Sequence, residues 1–228
     1  MVKRIGLITG IKLEDNLLRK GFKQAGCSDI LTACAAGRVE GAQDAALKII
    51  TQGATHLISF GVCGGLSPYV KAGDLILADS VTMDGDVLQL THNWHKVAFA
   101  NFPNARAGKM LSVAMPITTP QDKHNAHEAT GAVAVDVESF AVAQIAAAHK
   151  LPCIIIRAVL DNATQSLPKA AMSGVDDTGQ TRVWPVIAAL LKRPQDLPAL
   201  LNLARDSGLA QDTLKVVTKK GAPNFWAP

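Results

Sequence analysis

Charge and aromatic rings are both scarce in this chain of 228 residues: 18% is Asp, Glu, Lys or Arg, and 4% is Phe, Trp or Tyr. Low charge beside 48% hydrophobic residues excludes a disordered chain, which needs the opposite balance. The formal charge of +4 is mild and unclustered, so no nucleic-acid partner is expected. Cys27, Cys34, Cys63 and Cys153 have no CxxC spacing and sit in or beside apolar runs. They read as free thiols in a reducing compartment, not as a disulfide framework. No apolar run reaches the length of a membrane span, and Met1-Val2-Lys3-Arg4 leads straight into a strand-like segment, unlike a secretory leader. A cytoplasmic protein is expected.

What is present is short, continuously apolar runs alternating with helical spacing. Strands are expected at Arg4–Gly10, Thr55–Phe60, Asp74–Asp79, Met110–Met115, Ala132–Val137 and Cys153–Leu160. Helices are expected at Leu13–Ala25, Gly41–Gln52 and Ser139–His149, with Val183–Leu191 and Leu197–Asp206 closing the chain. The pattern predicts one α/β domain over residues 1–228, its sheet covered on both faces, with 181–228 as closing helices and tail.

In such a fold, ligands collect beyond the carboxyl ends of strands. Four of those ends carry something notable: Glu14, the glycine stretch Gly61-Val62-Cys63-Gly64-Gly65, Asp136-Val137-Glu138, and Asp161-Asn162. Together they suggest acid–base work on a small polar substrate, although each has a plainer reading. The glycine stretch has neither dinucleotide nor P-loop spacing and reads equally as a structural turn. Asp136 and Glu138 lie two apart, on one side of an extended chain, yet either can cap the helix that follows. Glu14 alone is an ordinary first-turn acid, and Asp161 a turn residue. Arg157 lies inside a predicted strand and needs an acidic neighbour if buried. The pairs His92/His95 and His124/His127 lack the HExxH pattern and a nearby cysteine, so solvated histidines are expected and no metal.

ISFGVCGGLSPYVKAGDLILAD resembles the glycine signature of the nucleoside phosphorylase and methylthioadenosine/S-adenosylhomocysteine nucleosidase superfamily. AVDVESFAVAQIAAAHKLPCIIIRAVLDNA resembles its second signature, and the two stand in the expected order. The stretches ATGAVAVDVESFAVA, LPKAAM and LLKRPQDLPALLNLARDSGLA are similar to the hopanoid-associated phosphorylase branch.

The resemblance implies a homo-oligomeric, cofactor-free enzyme that releases adenine from adenosylhopane. It implies that Asp161 is the general acid to purine N7 and that Glu138 binds the ribose hydroxyls. Glu14, or Asp15 if the alignment slides, would activate water. Gly64, Gly65, Cys63, Asp136 and Val137 would line the nucleoside pocket. Val137 stands where the superfamily has a methionine, and Leu160 where it has a serine. Val62 stands where a hydroxyl is common, which favours water over phosphate as the nucleophile. Arg38 is the residue that would hold a phosphate in the rival reading, a nucleoside phosphorylase. A nucleoside-binding protein without catalysis is the second rival. The closing segment LKVVTKKGAPNFWAP sets Lys215, Lys219 and Lys220 beside Phe225 and Trp226. That combination suits transient contact with an anionic membrane surface if the rings are exposed, and packing on the protein itself if they are not.

Overall fold

The computed structural model describes residues 3–27, 30–168, 178–180, 194–222 and 224–227. Among the described residues, eight strands and six α-helices run in the order β1 (Ile5–Thr9), α1 (Lys12–Gln24), β2 (Leu31–Cys34), α2 (Val39–Thr51), β3 (His56–Gly65), β4 (Leu75–Met83), β5 (Asp86–Gln89), α3 (His92–Asn101), β6 (Arg106–Ser112), α4 (Pro120–Thr130), β7 (Ala134–Asp136), α5 (Ser139–Ala148), β8 (Cys153–Asp161) and α6 (Leu197–Gly221). The predicted helix Val183–Leu191 lies outside the described residues.

β3 organises the sheet. Along its first half it pairs in parallel with β1, from Ile5 against His56 to Thr9 against Phe60, and β2 extends the sheet beyond β1. On its other edge it pairs with β8 over its length. β8 then pairs with β4, β4 with β6, β6 with β7, and β7 returns to β3 at Gly64 and Gly65. Five strands thus close a ring, with β5 added to β4 by a two-residue turn at Asp84-Gly85. Both turn residues have positive φ, as a tight hairpin requires.

Each face of the sheet packs helices, so the strands are apolar on both sides. One core joins Ile8, Leu57, Ile155 and Val159 to α2 and α5 through Ala42, Ala46, Ile49, Val142 and Ala146. The small side chains let α2 and α5 approach the sheet closely, which accounts for the high alanine content. The opposite core joins Leu7, Ile58, Phe60 and Ile156 to α1, α3 and α6 through Leu18, Phe22, Trp94, Leu214 and Val217.

Phe225, expected to be exposed if the tail met a membrane, is fully buried in this second core. It stacks on Phe22 at 5.7 Å, and its carbonyl accepts a hydrogen bond from Trp94 Nε1 at 2.7 Å. Trp226 packs edge-on to Phe102, over which Lys220 also sits. Phe225 is thus part of the protein's own core, and Trp226 is partly buried against it. No described helix is long and apolar enough to cross a membrane.

Candidate active site

Gly61–Gly65, expected as a loop or turn, is the second half of a continuous strand. The correction has a physical reason. Glycine weakens a strand on its own, but here β8 pairs with the stretch from Gly61 to Gly64. The glycines are needed for space: a Cβ on Gly61 would lie 2.5 Å from Glu14 Oε1 and 2.6 Å from Arg157 Nη1.

The same stretch is where β3 changes neighbours. Its pairing with β1 ends at Phe60, and its pairing with β7 begins at Gly64. In the interval the backbone edge is open, and Glu14 of α1 fills it. Glu14 Oε1 accepts from Val62 N at 2.8 Å, while Oε2 accepts from Gly10 N at 2.8 Å and Ile11 N at 3.0 Å. Glu14 is thus both the first-turn acid of its plainer reading and a member of the cluster. Burial pushes its carboxyl above the usual range, against the pull of Arg157 and of the backbone donors. Asp15 pairs with Arg19 at 2.9 Å, so of the two neighbouring acids Glu14 is the one that reaches β3.

Arg157 is fully buried, and the acidic partner it requires is present twice. Its Nη2 lies 2.8 Å from Asp136 Oδ2 and 3.1 Å from Glu138 Oε2, and donates to Ser59 Oγ at 2.8 Å. Asp136 is committed to support: Oδ1 accepts from Ser112 Oγ at 2.7 Å and from Ser139 N at 3.3 Å, and Oδ2 accepts from Ser139 Oγ. Asp136 thus ties the first residue of α5 to Arg157. Glu138, the N-cap residue of α5, makes no side-chain cap bond. Its carboxylate turns instead toward Gly10, where a Cβ would come within 2.7 Å of Oε1. Burial first, then Asp136 and Glu14, push the Glu138 carboxyl up to about 7, with Arg157 opposing.

Asp161 ends β8. A register shift between Cys63 and Gly64 sets Asp161 opposite Gly64, skipping Leu160. A Cβ on Gly64 would lie 3.4 Å from Asp161 Oδ1, so the small residue leaves the carboxylate its room. Burial raises the Asp161 carboxyl above its ordinary range, while an ion pair with Lys123 pulls the other way. Gly65 packs against Val70 and the Asp161 backbone, Cys63 lies buried in the first core, and Val137 remains partly exposed. Burial pushes the Cys63 thiol well up.

Two expectations place residues elsewhere. Arg38 is exposed and lines a separate polar cleft of about 390 Å³, with Lys12, Asp15, Arg19, Asp44 and Lys48. A larger cleft of about 760 Å³ lies between α6 and the start of β4, and contains none of the clustered carboxylates. The histidines are not simply solvated: His95 Nε2 is 2.9 Å from the Leu77 carbonyl, and His127 Nδ1 is 2.7 Å from that of Ala132. His124 is exposed as expected. Among the described residues no group of three or more His, Cys, Asp or Glu is placed to hold a metal. Lys123 and the serines Ser59, Ser112 and Ser139 were not foreseen. No spacing or composition signal marks them, because each matters only through a partner distant in sequence.

This arrangement gathers a carboxylate at an open strand edge, a second at a helix start and a third at a strand end. A solved structure of 5′-methylthioadenosine/S-adenosylhomocysteine nucleosidase from Neisseria meningitidis, in complex with methylthio-immucillin-A, has the same fold. It aligns with a TM-score of 0.70 and 19% identity, over 96% of this chain and 98% of that one. The native futalosine hydrolase of Helicobacter pylori aligns with a TM-score of 0.68 and 17% identity, over 94% and 97%. A 5′-methylthioadenosine/S-adenosylhomocysteine nucleosidase of Baumannia cicadellinicola is 26% identical over 196 residues, which is 69% of this chain and 85% of the relative. Residues 28–191, well over half of the sequence, match the phosphorylase superfamily, and the chain belongs to that superfamily.

Proposed function

We propose that this protein is a purine N-glycosidase that uses water to release adenine from a 5′-substituted adenosine. One observation carries the reading: Glu14, Glu138 and Asp161 are all buried, Glu14 and Asp161 against Gly61 and Gly64 of β3, and Glu138 against Gly10 and on Arg157, which itself meets Gly61. In this reading Asp161 protonates N7 of the departing purine. Glu138 binds the ribose hydroxyls and faces the positive charge that develops on the sugar, so its attraction is stronger in the transition state than in the ground state. Glu14 orients the attacking water and takes its proton. Arg157 and Asp136 hold Glu138 in place. The names of the nucleosidase and futalosine hydrolase relatives support hydrolysis. The position of Arg38, in a cleft apart from the carboxylates, supports it as well.

The 5′ substituent we assign is hopane, making adenosylhopane the substrate. That assignment rests on the resemblance of three stretches between Ala129 and Ala210 to the hopanoid-associated branch, and on Val137, a smaller wall than methionine. We further assign a homo-oligomer, since relatives of this fold commonly assemble. Adenine release from adenosylhopane in mixed micelles, from 5′-methylthioadenosine and from adenosine tests the substrate. We expect kcat/KM for adenosylhopane to exceed the others by about tenfold or more, the scale on which an apolar pocket discriminates. Faster cleavage of 5′-methylthioadenosine would replace the lipid-linked substrate with the small thioether.

A further inference from the structure

Of the eleven residues of α4, the one that is buried is Lys123. A surface helix ordinarily buries an apolar stripe. This one buries a cation near its N-terminal end, where the helix dipole disfavours positive charge. A buried ammonium must be fully partnered, and the surroundings supply three acceptors for its three N–H bonds. Lys123 Nζ donates to Asp161 Oδ2, to the Asn162 carbonyl at 2.8 Å and to the Gln165 carbonyl at 2.8 Å.

The segment after β8 has other anchors. Asn162 N donates to Gln165 Oε1 at 2.6 Å, Asn162 Oδ1 accepts from Ala72 N at 2.6 Å, and Gln165 Nε2 donates to Asp206 Oδ2 at 2.7 Å. Holding that segment therefore does not by itself call for a buried charge. The group that does call for one is Asp161. Among the described residues, Lys123 from α4 and Asp206 from α6 are the charged groups that act on it.

We propose that Lys123 is the positioning residue of base departure, aligning the Asp161 carboxyl and stabilising the carboxylate that forms as its proton passes to the purine. The inference rests on the reading of Asp161 as the proton donor. In that step the Asp161 O–H bond breaks as the N7–H bond forms. The electron pair of the C1′–N9 bond goes to the purine, and Asp161 is left as an anion beside the ammonium. The attraction between them is small for the neutral acid and full for the anion, so it grows along the step.

The test compares Lys123→Met, Lys123→Gln, Asp161→Asn and the Lys123→Met/Asp161→Asn double variant on adenine release from 5′-methylthioadenosine. Gln can still donate to one of the two carbonyls, which guards against loss of the local fold. Both lysine variants should lower kcat by roughly ten- to hundredfold with KM little changed. Without the ammonium, Asp161 keeps its proton to higher pH, so the basic limb of kcat/KM should move up by about one pH unit or more. The double variant should be no slower than Asp161→Asn, because Lys123 acts through that carboxyl. A basic limb that stays in place, or a double variant slower than Asp161→Asn by the full factor of the single lysine change, overturns the inference. An Asp161→Asn enzyme at the wild-type rate would instead remove the reading on which it rests.

Discussion

Asp161→Asn should lower kcat for adenine release by roughly 10²–10⁴-fold, the usual contribution of a positioned general acid. The substitution keeps the shape of the side chain and an oxygen for Lys123, but it removes the proton that the departing purine needs. Adenine is a poor leaving group as an anion and a good one when protonated at N7, so the whole effect should fall on the bond-breaking step. KM should change little, because the same atoms remain at the pocket wall. A stability cost accompanies the change, since Lys123 stays fully buried and loses its counter-charge. Thermal melting therefore belongs beside the kinetics. A variant that melts well above the assay temperature and is still slow shows that the loss is chemical. Wild-type kcat in a folded Asp161→Asn enzyme would exclude Asp161 as the acid and favour a protein that binds nucleosides for another purpose.

Glu138→Gln carries the second large effect, and its signature is in the pH profile. Burial, Asp136 and Glu14 together hold the Glu138 proton until about 7, although Arg157 pulls the other way. Only the carboxylate can stabilise a cationic sugar. Below that value kcat/KM should thus climb by about tenfold per pH unit as one proton leaves, and level off above it. Glu138→Gln should erase that limb and slow the reaction by roughly 10²–10³-fold, as loss of a preorganised electrostatic group does. Stability should run the opposite way. The folded-state carboxyl lies above the ordinary value of 4.5, so its contribution is complete below that value and is lost as pH rises through about 7. Glu138→Gln should flatten this slope, which pH-dependent thermal melting can follow. An acid limb that persists in the variant would reassign it to another carboxyl of the cluster.

The sequence reading succeeds where the signal is local. Continuously apolar runs locate β1, β3, β4 and β8, and helical spacing locates α1, α2 and α5. It fails where a partner distant in sequence decides the outcome. β3 was expected to stop at Phe60 because glycines punctuate strands, but the strand continues because β8 and β7 pair with it and Glu14 and Arg157 need the space. α6 was expected to end at Asp206, before Ser207-Gly208. It runs on to Gly221 because Ala210, Leu214 and Val217 continue its apolar face into the second core.

Other misses have their own causes. β5 was visible in principle, since Asp84-Gly85 is a strong hairpin signal that went unused. α4 offers almost nothing to a periodicity argument, since ten of its eleven residues are not buried. For the candidate site, the carboxylates were found because they stand at strand ends and match the family signatures. The contacts that hold them were not legible. That Asp136 braces Arg157, that Glu14 and not Asp15 faces inward, and that Lys123 meets Asp161 all depend on where separate elements are brought together.

The measurement that bears most directly on the central claim is the dependence of adenine release on phosphate. Purified enzyme and a 5′-substituted adenosine, in buffer freed of phosphate, should yield adenine and the free 5′-substituted ribose in equal amounts. Adding phosphate should leave the rate unchanged. Release that appears only on adding phosphate, with the sugar recovered as its 1-phosphate, would contradict hydrolysis and make the protein a nucleoside phosphorylase.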